Sequence, residues 1–322
     1  EPLNGITNEG NLCLKGLCGF DFINDTKILT PRILYPMIRR KKGADLERVT
    51  WDEALDFTAR RLMEIKAQYG PDSIMLTGSS RGPGNEANYV MQKFTRACVG
   101  TNNIDNCART CHGPSVIGLI DTLGSGAMSV SIPGLEEADC ILLIGYNPAA
   151  SHPIVASRIV KARERGAKII VVDPRVIETA RIADIHLQIK NGSNLAFLNA
   201  MANVIIKEGL HDKEFIDAHT EGFDEWLEVV ERYTPEYSAE ICGVEADAIR
   251  EAARMYATAE TAILGWGMGV TQQRQGVHTV HAIASLACVA GQIARPHCGV
   301  APVRGQNNVQ GSCDMGMWPS LY

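Results

Sequence analysis

The sequence lacks several features that mark common classes of protein. Its 31 basic and 37 acidic residues leave a net charge of -6 and form no large basic block. We expect no nucleic acid partner, because a phosphate backbone is bound through clustered positive charge. The one short basic cluster, Arg39 to Lys42, is typical of a solvated turn. There is also no internal repeat at a fixed period and no low-complexity tract, which argues against a repeat architecture.

A disulfide framework and a membrane span are also missing. The ten cysteines are scattered, unlike the dense set that staples a small secreted domain. Cys140 and Cys288 lie in apolar runs and are typical of core residues. The longest charge-free stretch, 275–294, holds two histidines and two glutamines and favours a buried helix over a bilayer span. We therefore expect a soluble protein of a reducing compartment, located in the cytoplasm, with no membrane span.

What is present is an alternation of strand and helix patterns. At 322 residues the chain exceeds the about 250 residues that a single core usually reaches, so we expect at least two domains. A buried strand in ADCILLIG (138–145), a helix from about His152 to Arg165 and a buried strand ending at Asp173 predict a right-handed β-α-β crossover. Further strands are predicted at Asp184–Lys190 and Thr261–Trp266, and further helices at Asn194–Glu208 and after Gly276. The fold class is α/β, with a doubly wound parallel sheet.

The first hundred residues predict a separate α/β segment. Residues 1–31 are rich in glycine and asparagine and are expected to be loop. The first long helix is predicted between its N-cap Thr50 and Gly70. A strand at Ser73–Thr77, a glycine-rich loop and a helix at Ala87–Cys98 are predicted next. The chain begins on Glu1 and stops at Tyr322 in a segment without signs of a natural end, so we expect it to be part of a longer polypeptide.

Four loops at predicted strand ends are rich in glycine and polar residues: 78–85, 145–152, 173–175 and 265–272. Ligands of open parallel sheets bind at the carboxyl ends of the strands. None of the loops matches GxGxxG, so the usual nicotinamide fingerprint is absent, although Asp173 stands where a ribose hydroxyl is bound. Any one loop is compatible with simple chain reversal. Four together favour a large nucleotide-like ligand.

The stretch NCARTCHGPS, 106–115, places two cysteines four residues apart. Gly113 and Pro114 prevent a helix from running through Cys111, whereas Pro114 suits the first turn of a new helix. Cys111 is therefore predicted just before a helix N-terminus, where the dipole favours a thiolate. That position favours a reactive or metal-binding cysteine, with His112 beside it as a candidate for proton transfer.

Other interpretations of the two cysteines remain open at this stage. Structural zinc needs four ligands, and no second CxxC or HxxxH lies near. A redox pair of Cys107 with Cys111 has a spacing that differs from the thioredoxin-like CxxC. Arg304 lies in a second polar segment, 301–316, where it is either an ordinary ion-pair partner or a bidentate grip for a small carboxylate.

Seven motifs together resemble the catalytic subunit of molybdenum- or tungsten-dependent formate dehydrogenase, and the resemblance runs from end to end. These motifs are CLKG, TGSSRGPGNEANYVMQKF, NNIDNCARTCHGPSV, GYNPAASHPIV, VDPRVIETARIADIHLQIKNGSN, WGMGVTQ and PVRGQNNVQGSCDMG. The resemblance implies the molybdopterin oxidoreductase fold and a bis(molybdopterin guanine dinucleotide) cofactor carrying Mo or W.

The resemblance also implies roles for individual residues. Cys111 occupies the position of the metal-ligating cysteine or selenocysteine, His112 is the adjacent active-site histidine, and Arg304 holds the formate carboxylate. Cys13 resembles the last ligand of a [4Fe-4S] cluster, and Lys15 the lysine between cluster and pterin. The residues implied to hold the pterin dinucleotide are Arg81, Asn147, Ser151, Asp173, Pro174, Gly192, Ser193, Met268, Gln272 and Gln306. Cys107 is left as a structural neighbour.

The same resemblance sets the expected domains, and this sequence departs from the family's pattern in three places. The expected domains are an iron-sulfur remnant (1–31), a first α/β segment (32–106), a Rossmann-like pterin-dinucleotide domain (107–306) and a return segment (307–322). The family's three other cluster cysteines lie before the position that corresponds to Glu1, so the [4Fe-4S] site is expected to be incomplete. The carboxyl-terminal half of the family is missing, and Ala150 stands where some relatives carry an acidic residue.

The implied reaction interconverts formate and CO2 with transfer of two electrons and one proton. His112 is expected to accept or stabilise the proton if its pKa stays near neutrality. The electrons are expected to leave past Lys15 and the cluster to an iron-sulfur partner subunit, linked to a hydrogenase or an NAD(P)-reducing subunit. Two alternatives are a nitrate-reductase-like oxidoreductase and a non-catalytic electron-transfer scaffold.

Overall fold

The computed structural model describes residues 5–21, 33–81 and 84–319. Packing divides the chain into two compact units. The sheet unit comprises the described residues among 1–11 and 109–305, and the split unit comprises those among 12–108 and 306–322. Part of the expected iron-sulfur remnant (1–4 and 22–31) and positions 82 and 83 of the first polar loop lie outside the described residues. The functions assigned to the expected domains stay a prediction.

Nine strands are described. They are β1 Met37–Ile38, β2 Glu47–Arg48, β3 Leu76–Thr77, β4 Ile104–Asp105, β5 Cys140–Ile144, β6 Lys168–Val172, β7 Ile185–Leu187, β8 Ala262–Trp266 and β9 Gly299–Pro302.

Fourteen α-helices are described. They are α1 Leu14–Leu17, α2 Trp51–Tyr69, α3 Asn85–Lys93, α4 Gly113–Leu123, α5 Pro148–Ser151, α6 Pro153–Glu164, α7 Asn194–Lys207, α8 Lys213–His219, α9 Phe223–Val230, α10 Pro235–Cys242, α11 Ala246–Ala257, α12 Met268–Thr271, α13 Gly276–Val289 and α14 Val309–Asp314. Within the described ranges, none of the helices is both long and apolar enough to cross a bilayer.

The sheet unit is built on five parallel strands in the order β7-β6-β5-β8-β9. The order reverses at β5, which is the arrangement of a doubly wound sheet and confirms the predicted fold class. All five residues of β5 are buried. Cys140, Leu142 and Ile144 pack on one face with α7, α11 and α13, whereas Ile141 and Leu143 pack on the other with α6. Both faces are covered by helices, so the strand sequence is continuously apolar.

The predicted β-α-β crossover is confirmed by β5, α6 and β6. The two strands are parallel and pair from Cys140 with Lys168 to Ile144 with Val172. β9 was not predicted, because its sequence Gly-Val-Ala-Pro is short and ends in proline. It lies at the sheet edge beside β8, where a proline is tolerated since it costs no ladder hydrogen bond on the open side. β9 carries the chain directly to Arg304.

The split unit contains two short strand pairs, β1 with β2 and β3 with β4. The predicted helix after Thr50 is confirmed: the Thr50 hydroxyl accepts from the Glu53 amide at 3.2 Å, and Gly70 caps the carboxyl end of α2. The predicted strand at Ser73–Thr77 is shorter than expected, because Pro71–Ser73 form a 3-10 turn and only the residues of β3 pair with a neighbouring strand. The predicted helix at Ala87–Cys98 is divided into α3 and a π-helical turn, Phe94–Val99.

Candidate active site

The loops that follow the parallel strands meet at one edge of the sheet unit and enclose a polar cavity of about 240 Å³. Three residues expected to hold the dinucleotide, Asn147, Asp173 and Pro174, line it. The other lining residues are Gly145, Val172, Arg175, Ile189, Lys190, Asn191, Asn194, Gly269 and Gln273. Lys190, Asn191, Asn194 and Gln273 were not predicted, although each lies within three residues of a predicted one. Lys190 and Asn191 lie three and four residues after β7, so polar residues just after a strand are the signal that would have found them, whereas Asn194 begins α7 and Gln273 follows α12.

Two glycines form one wall of this cavity. Gly145 follows β5 with φ of +56°, and its carbonyl accepts from the Gly269 amide at 3.0 Å. A Cβ on Gly145 would lie 2.7 Å from the Gly269 carbonyl carbon, and a Cβ on Gly269 would lie 2.7 Å from Gly145 Cα and O. The two loops touch backbone to backbone, so neither position accepts a side chain.

Asp173 is 6% exposed at the end of β6, and its carboxylate accepts from the Arg175 amide at 2.9 Å. Asn147 caps α5 by accepting from the Ala150 amide at 3.3 Å, and its own amide donates to Glu178 at 3.0 Å. The pKa of the Glu178 carboxyl lies below its ordinary value. The main cause is a hydrogen bond from the backbone N–H of Glu178 itself, and the second is the hydrogen bond from Asn147. Both predicted residues are thus held in place by local hydrogen bonds.

Five further predicted cofactor residues lie in the same loops but do not line the cavity. The Ser151 hydroxyl donates to the Asn147 carbonyl at 2.7 Å, and the buried Ser193 hydroxyl donates to the Lys190 carbonyl at 2.6 Å. Gly192 has a φ of +88°, so it makes the turn after β7. Gln272 donates to the Thr110 carbonyl, and Met268 is 40% exposed. Their roles toward a cofactor stay a prediction.

Cys111 and His112 precede α4, for which His112 is the N-cap residue, as the Gly-Pro sequence predicted. Cys111 is 5% exposed, and its carbonyl accepts from the Thr271 hydroxyl at 2.6 Å. A Cβ built on Gly305 would lie 3.6 Å from the Cys111 sulfur and 3.6 Å from Met268 Cε. The tertiary fold therefore brings the loops after β8 and β9 to the cysteine.

The His112 side chain is 1% exposed and is held by a buried chain of contacts. Its Nδ1 lies 2.9 Å from the hydroxyl oxygen of Ser115, which accepts from the indole N–H of Trp266 at 2.9 Å. The other ring nitrogen, Nε2, is buried and makes no well-aligned hydrogen bond with the described residues, although the Val303 backbone lies close enough to the ring to raise its pKa. Buried polar atoms of this kind are rare and point to a ligand or cofactor contact.

Burial, and after it the positive charge of Arg304, lowers the pKa of His112 from 6.5 to about 3. A smaller effect of the Val303 backbone acts in the opposite direction and raises this pKa. The imidazole is therefore neutral at neutral pH. This pKa lies below the near-neutral value that the sequence interpretation required for His112 to accept a proton, and the role of His112 in proton transfer stays a prediction.

Arg304 follows β9 in the sheet unit. Its Nη2 donates to the Gly126 carbonyl, and its own carbonyl lies 2.6 Å from Nε2 of His152 at the start of α6. Because Arg304 acts electrostatically on His112, Cys111, His112 and Arg304 form one corner of the sheet unit despite their separation along the chain.

Cys13, Lys15, Arg81 and Gln306 belong to the split unit. The backbone amide of Gly16 holds the pKa of the Cys13 thiol below its ordinary value. Gln306 accepts a hydrogen bond from Cys107. No cluster of three or more metal-binding side chains occurs within the described residues. The cluster role of Cys13 and the roles of Lys15 and Arg81 stay predictions.

Comparison with known proteins gives consistent relationships. The model of the molybdopterin oxidoreductase family matches residues 32–318. Formate dehydrogenase H of Escherichia coli (strain K12) is 61% identical over 322 residues, which cover 100% of this chain and 45% of that protein. The F420-dependent formate dehydrogenase subunit alpha of Methanocaldococcus jannaschii is 48% identical over 315 residues, or 98% of this chain and 45% of that protein.

Among solved structures, acetylene hydratase from Pelobacter acetylenicus superposes with a TM-score of 0.74 at 30% identity. The match covers 88% of this chain and 38% of that structure. The chain spans about half the length of the curated relatives it matches.

Proposed function

Because the chain belongs to the molybdopterin oxidoreductase family, we propose that it forms part of the catalytic subunit of a molybdenum- or tungsten-dependent formate dehydrogenase. The observation that carries this proposal is the 61% identity to formate dehydrogenase H along the whole chain. The meeting of Cys111, His112 and Arg304 in one corner supports it, because the three residues suit a metal ligand, a hydrogen-bonding histidine and a carboxylate-binding cation.

Family membership implies a bis(molybdopterin guanine dinucleotide) cofactor with Mo or W, and the residues of the sheet unit fit it. The cavity beside Asp173 is polar and smaller than the about 300 to 1,000 Å³ of a typical small-molecule site, which suits one end of an extended dinucleotide. The unpartnered Nε2 of His112 leaves a polar atom for a ligand. A cysteine just before a helix supplies the soft thiolate that such a metal prefers.

When bound, the metal centre supplies the capacity to take the two electrons of the reaction, HCOO⁻ to CO2, 2e⁻ and H⁺. Cys111 would ligate the metal through Sγ. The Arg304 guanidinium would bind formate by two parallel N–H···O bonds and orient its C–H. His112, neutral in its buried setting, would contact the substrate or its surroundings through Nε2. The low exposure of Cys111 and His112 keeps water away from them.

The finer partners are part of the same proposal. Cys13 would be one ligand of a [4Fe-4S] cluster and Lys15 would lie on the electron path to it. An iron-sulfur subunit, linked to a hydrogenase or an NAD(P)-reducing subunit, would receive the electrons. Several relatives are described as subunit alpha, which supports assembly with other subunits. A cytoplasmic location is proposed with it.

The test compares the full-length protein with its Cys111→Ala and Cys98→Ala variants. We expect molybdenum or tungsten in the wild type and formate oxidation with an artificial acceptor. Cys111→Ala should lose both, with activity falling by about 10³-fold or more, on the scale of removing a group that acts only in the reaction. Cys98→Ala is the control, since this cysteine is exposed in the split unit.

Three results would contradict the proposal. Metal and formate oxidation retained in Cys111→Ala would refute the ligand role. A wild type without molybdenum or tungsten would favour the scaffold alternative. A loaded enzyme that reduces nitrate and does not oxidise formate would favour the nitrate-reductase-like alternative.

A further inference from the structure

Ser115 connects the active-site histidine to the core of the sheet. It lies on the first turn of α4, three residues after His112, and is completely buried, as is Trp266 at the end of β8. Its hydroxyl oxygen is 2.9 Å from the indole Nε1 of Trp266 and 2.9 Å from Nδ1 of His112. These are the hydrogen bonds of its side chain to the described residues, so its one proton and its lone pairs can be assigned.

The direction of the first bond follows from chemistry. An indole N–H only donates, so Ser115 must accept from Trp266. The hydroxyl still has one proton to donate, and in this buried position an unused donor costs about 1 to 3 kcal/mol. The hydroxyl makes no hydrogen bond to the carbonyl of Cys111, four residues before Ser115 and the usual acceptor for a helical serine; that carbonyl accepts from Thr271 at 2.6 Å.

The remaining acceptor for the Ser115 proton is Nδ1 of His112. If Nδ1 carried a proton, the hydroxyl would accept from both neighbours and its own proton would be buried without an acceptor. A histidine that accepts at Nδ1 has its proton on Nε2. Nε2 is buried and makes no well-aligned hydrogen bond with the described residues.

We propose that Ser115, itself oriented by Trp266, is a positioning residue that holds His112 as the Nε2–H tautomer. His112 then presents a hydrogen-bond donor to whatever occupies the site, and its acceptor nitrogen faces the protein. It cannot take a proton at Nε2 without first losing one. The group it contacts must therefore be an acceptor, such as a carboxylate oxygen. Only the identity of that acceptor as formate rests on the proposed function.

The experiment uses full-length, cofactor-loaded protein labelled with ¹⁵N in the histidine rings and held in its oxidised form. Solid-state ¹⁵N spectra distinguish the two neutral tautomers and the imidazolium, and the His112 signals are those absent from His112→Gln. The wild type should show protonated Nε2 and unprotonated Nδ1. Ser115→Ala should give a mixture of tautomers, whereas Ser115→Thr, which keeps the hydroxyl, should restore the wild-type pattern.

Thr279→Val is the matched control, because it removes a buried hydroxyl of the sheet unit that donates to the Gln275 carbonyl and contacts neither Cys111 nor His112. It should leave the tautomer unchanged. In parallel, Ser115→Ala should lower kcat for formate by about tenfold or more while KM changes by less than about threefold, because Arg304 still binds the carboxylate.

A wild-type signal with protonated Nδ1, or an imidazolium, overturns the inference without any variant. So does a Ser115→Ala spectrum that matches the wild type, or a tautomer change in Thr279→Val. If the protein has another activity but His112 is the Nε2–H tautomer, the proposed function fails and the role of Ser115 stands. If formate is oxidised but Nδ1 is protonated, the proposed function stands and the role of Ser115 fails.

Discussion

The imidazole of His152 lies with its Nε2 2.6 Å from the backbone carbonyl of Arg304, and this hydrogen bond joins the start of α6 to the segment after β9. The acceptor is a carbonyl, so Nε2 of His152 must donate. The arginine that is proposed to bind formate is thus held through its main chain by a histidine from another loop.

Replacing His152 by alanine should weaken substrate binding more than turnover. Loss of one hydrogen bond of about 1 to 1.5 kcal/mol corresponds to a rise in KM for formate of roughly tenfold, with a smaller change in kcat. Steady-state kinetics of the full-length enzyme measure both. His281→Ala is the control, since His281 pairs with Asp121 away from the site. A kcat that falls while KM is constant would contradict this role for His152.

Replacing Gly145 by alanine should reduce the amount of bound pterin dinucleotide. The new Cβ would lie 2.7 Å from the Gly269 backbone, which cannot move as a side chain can, and the φ of +56° adds strain. Cofactor content per chain, measured after purification, is the test. Gly166→Ala is a matched control: Gly166 also has a positive φ, but nothing lies within 4 Å of its added Cβ. Equal cofactor loss in both variants would assign the effect to backbone strain alone.

Replacing Gly118 by alanine should destabilise the sheet unit by about 1 to 3 kcal/mol through overpacking. The added Cβ would lie 2.8 Å from Cβ and Cγ1 of Val280, where α4 crosses α13. The free energy of unfolding in urea is the measurement. In Gly118→Ala combined with Val280→Ala the contact with Cγ1 is removed while that with Cβ remains, so the double variant should lose less stability than the sum of the two single variants. If the changes in the free energy of unfolding of the two single variants simply add in the double variant, α4 and α13 move apart instead of clashing.

Replacing Glu9 by glutamine should lower stability at neutral pH but not in acid. Lys161 and Arg158 donate to the Glu9 carboxylate at 2.8 Å each and hold its pKa below the ordinary 4.5. A lowered pKa contributes stability that is present above the ordinary value and is lost as the pH falls through the lowered one. The difference in urea midpoint between wild type and Glu9→Gln should therefore shrink as the pH is brought below 4.5. A difference in urea midpoint that stays constant across pH would contradict this role of the Glu9 carboxylate.

Much of the sheet unit could be predicted from the sequence because its signals are local. The apolar runs of β5 and β6 reflect burial on both faces of a parallel strand. The glycine after α6 marks the end of the helix between them. Pro114 predicted the start of α4, since a proline is favoured in the first turn. The short strand β9 was missed because four residues ending in proline carry too little periodic signal.

The site was predicted only in part, for a physical reason. Cys111 and His112 adjoin each other and a helix start, so their chemistry could be argued from neighbours along the chain. The cavity residues Lys190 and Gln273 come from different loops and could be grouped only once the strand order was known. The network of His112, Ser115 and Trp266 includes a bond between residues 151 positions apart and has no pattern in the sequence.

By itself, the sequence determined the α/β class, the helix start that singles out Cys111 and the family to which the chain is similar, because these depend on residue types at short spacing. Only the tertiary structure decided that Arg304 meets His112, that His112 is neutral and that its Nδ1 faces Ser115. Those outcomes depend on burial and on contacts between distant segments, and both arise only when β5, β8 and β9 align in one sheet.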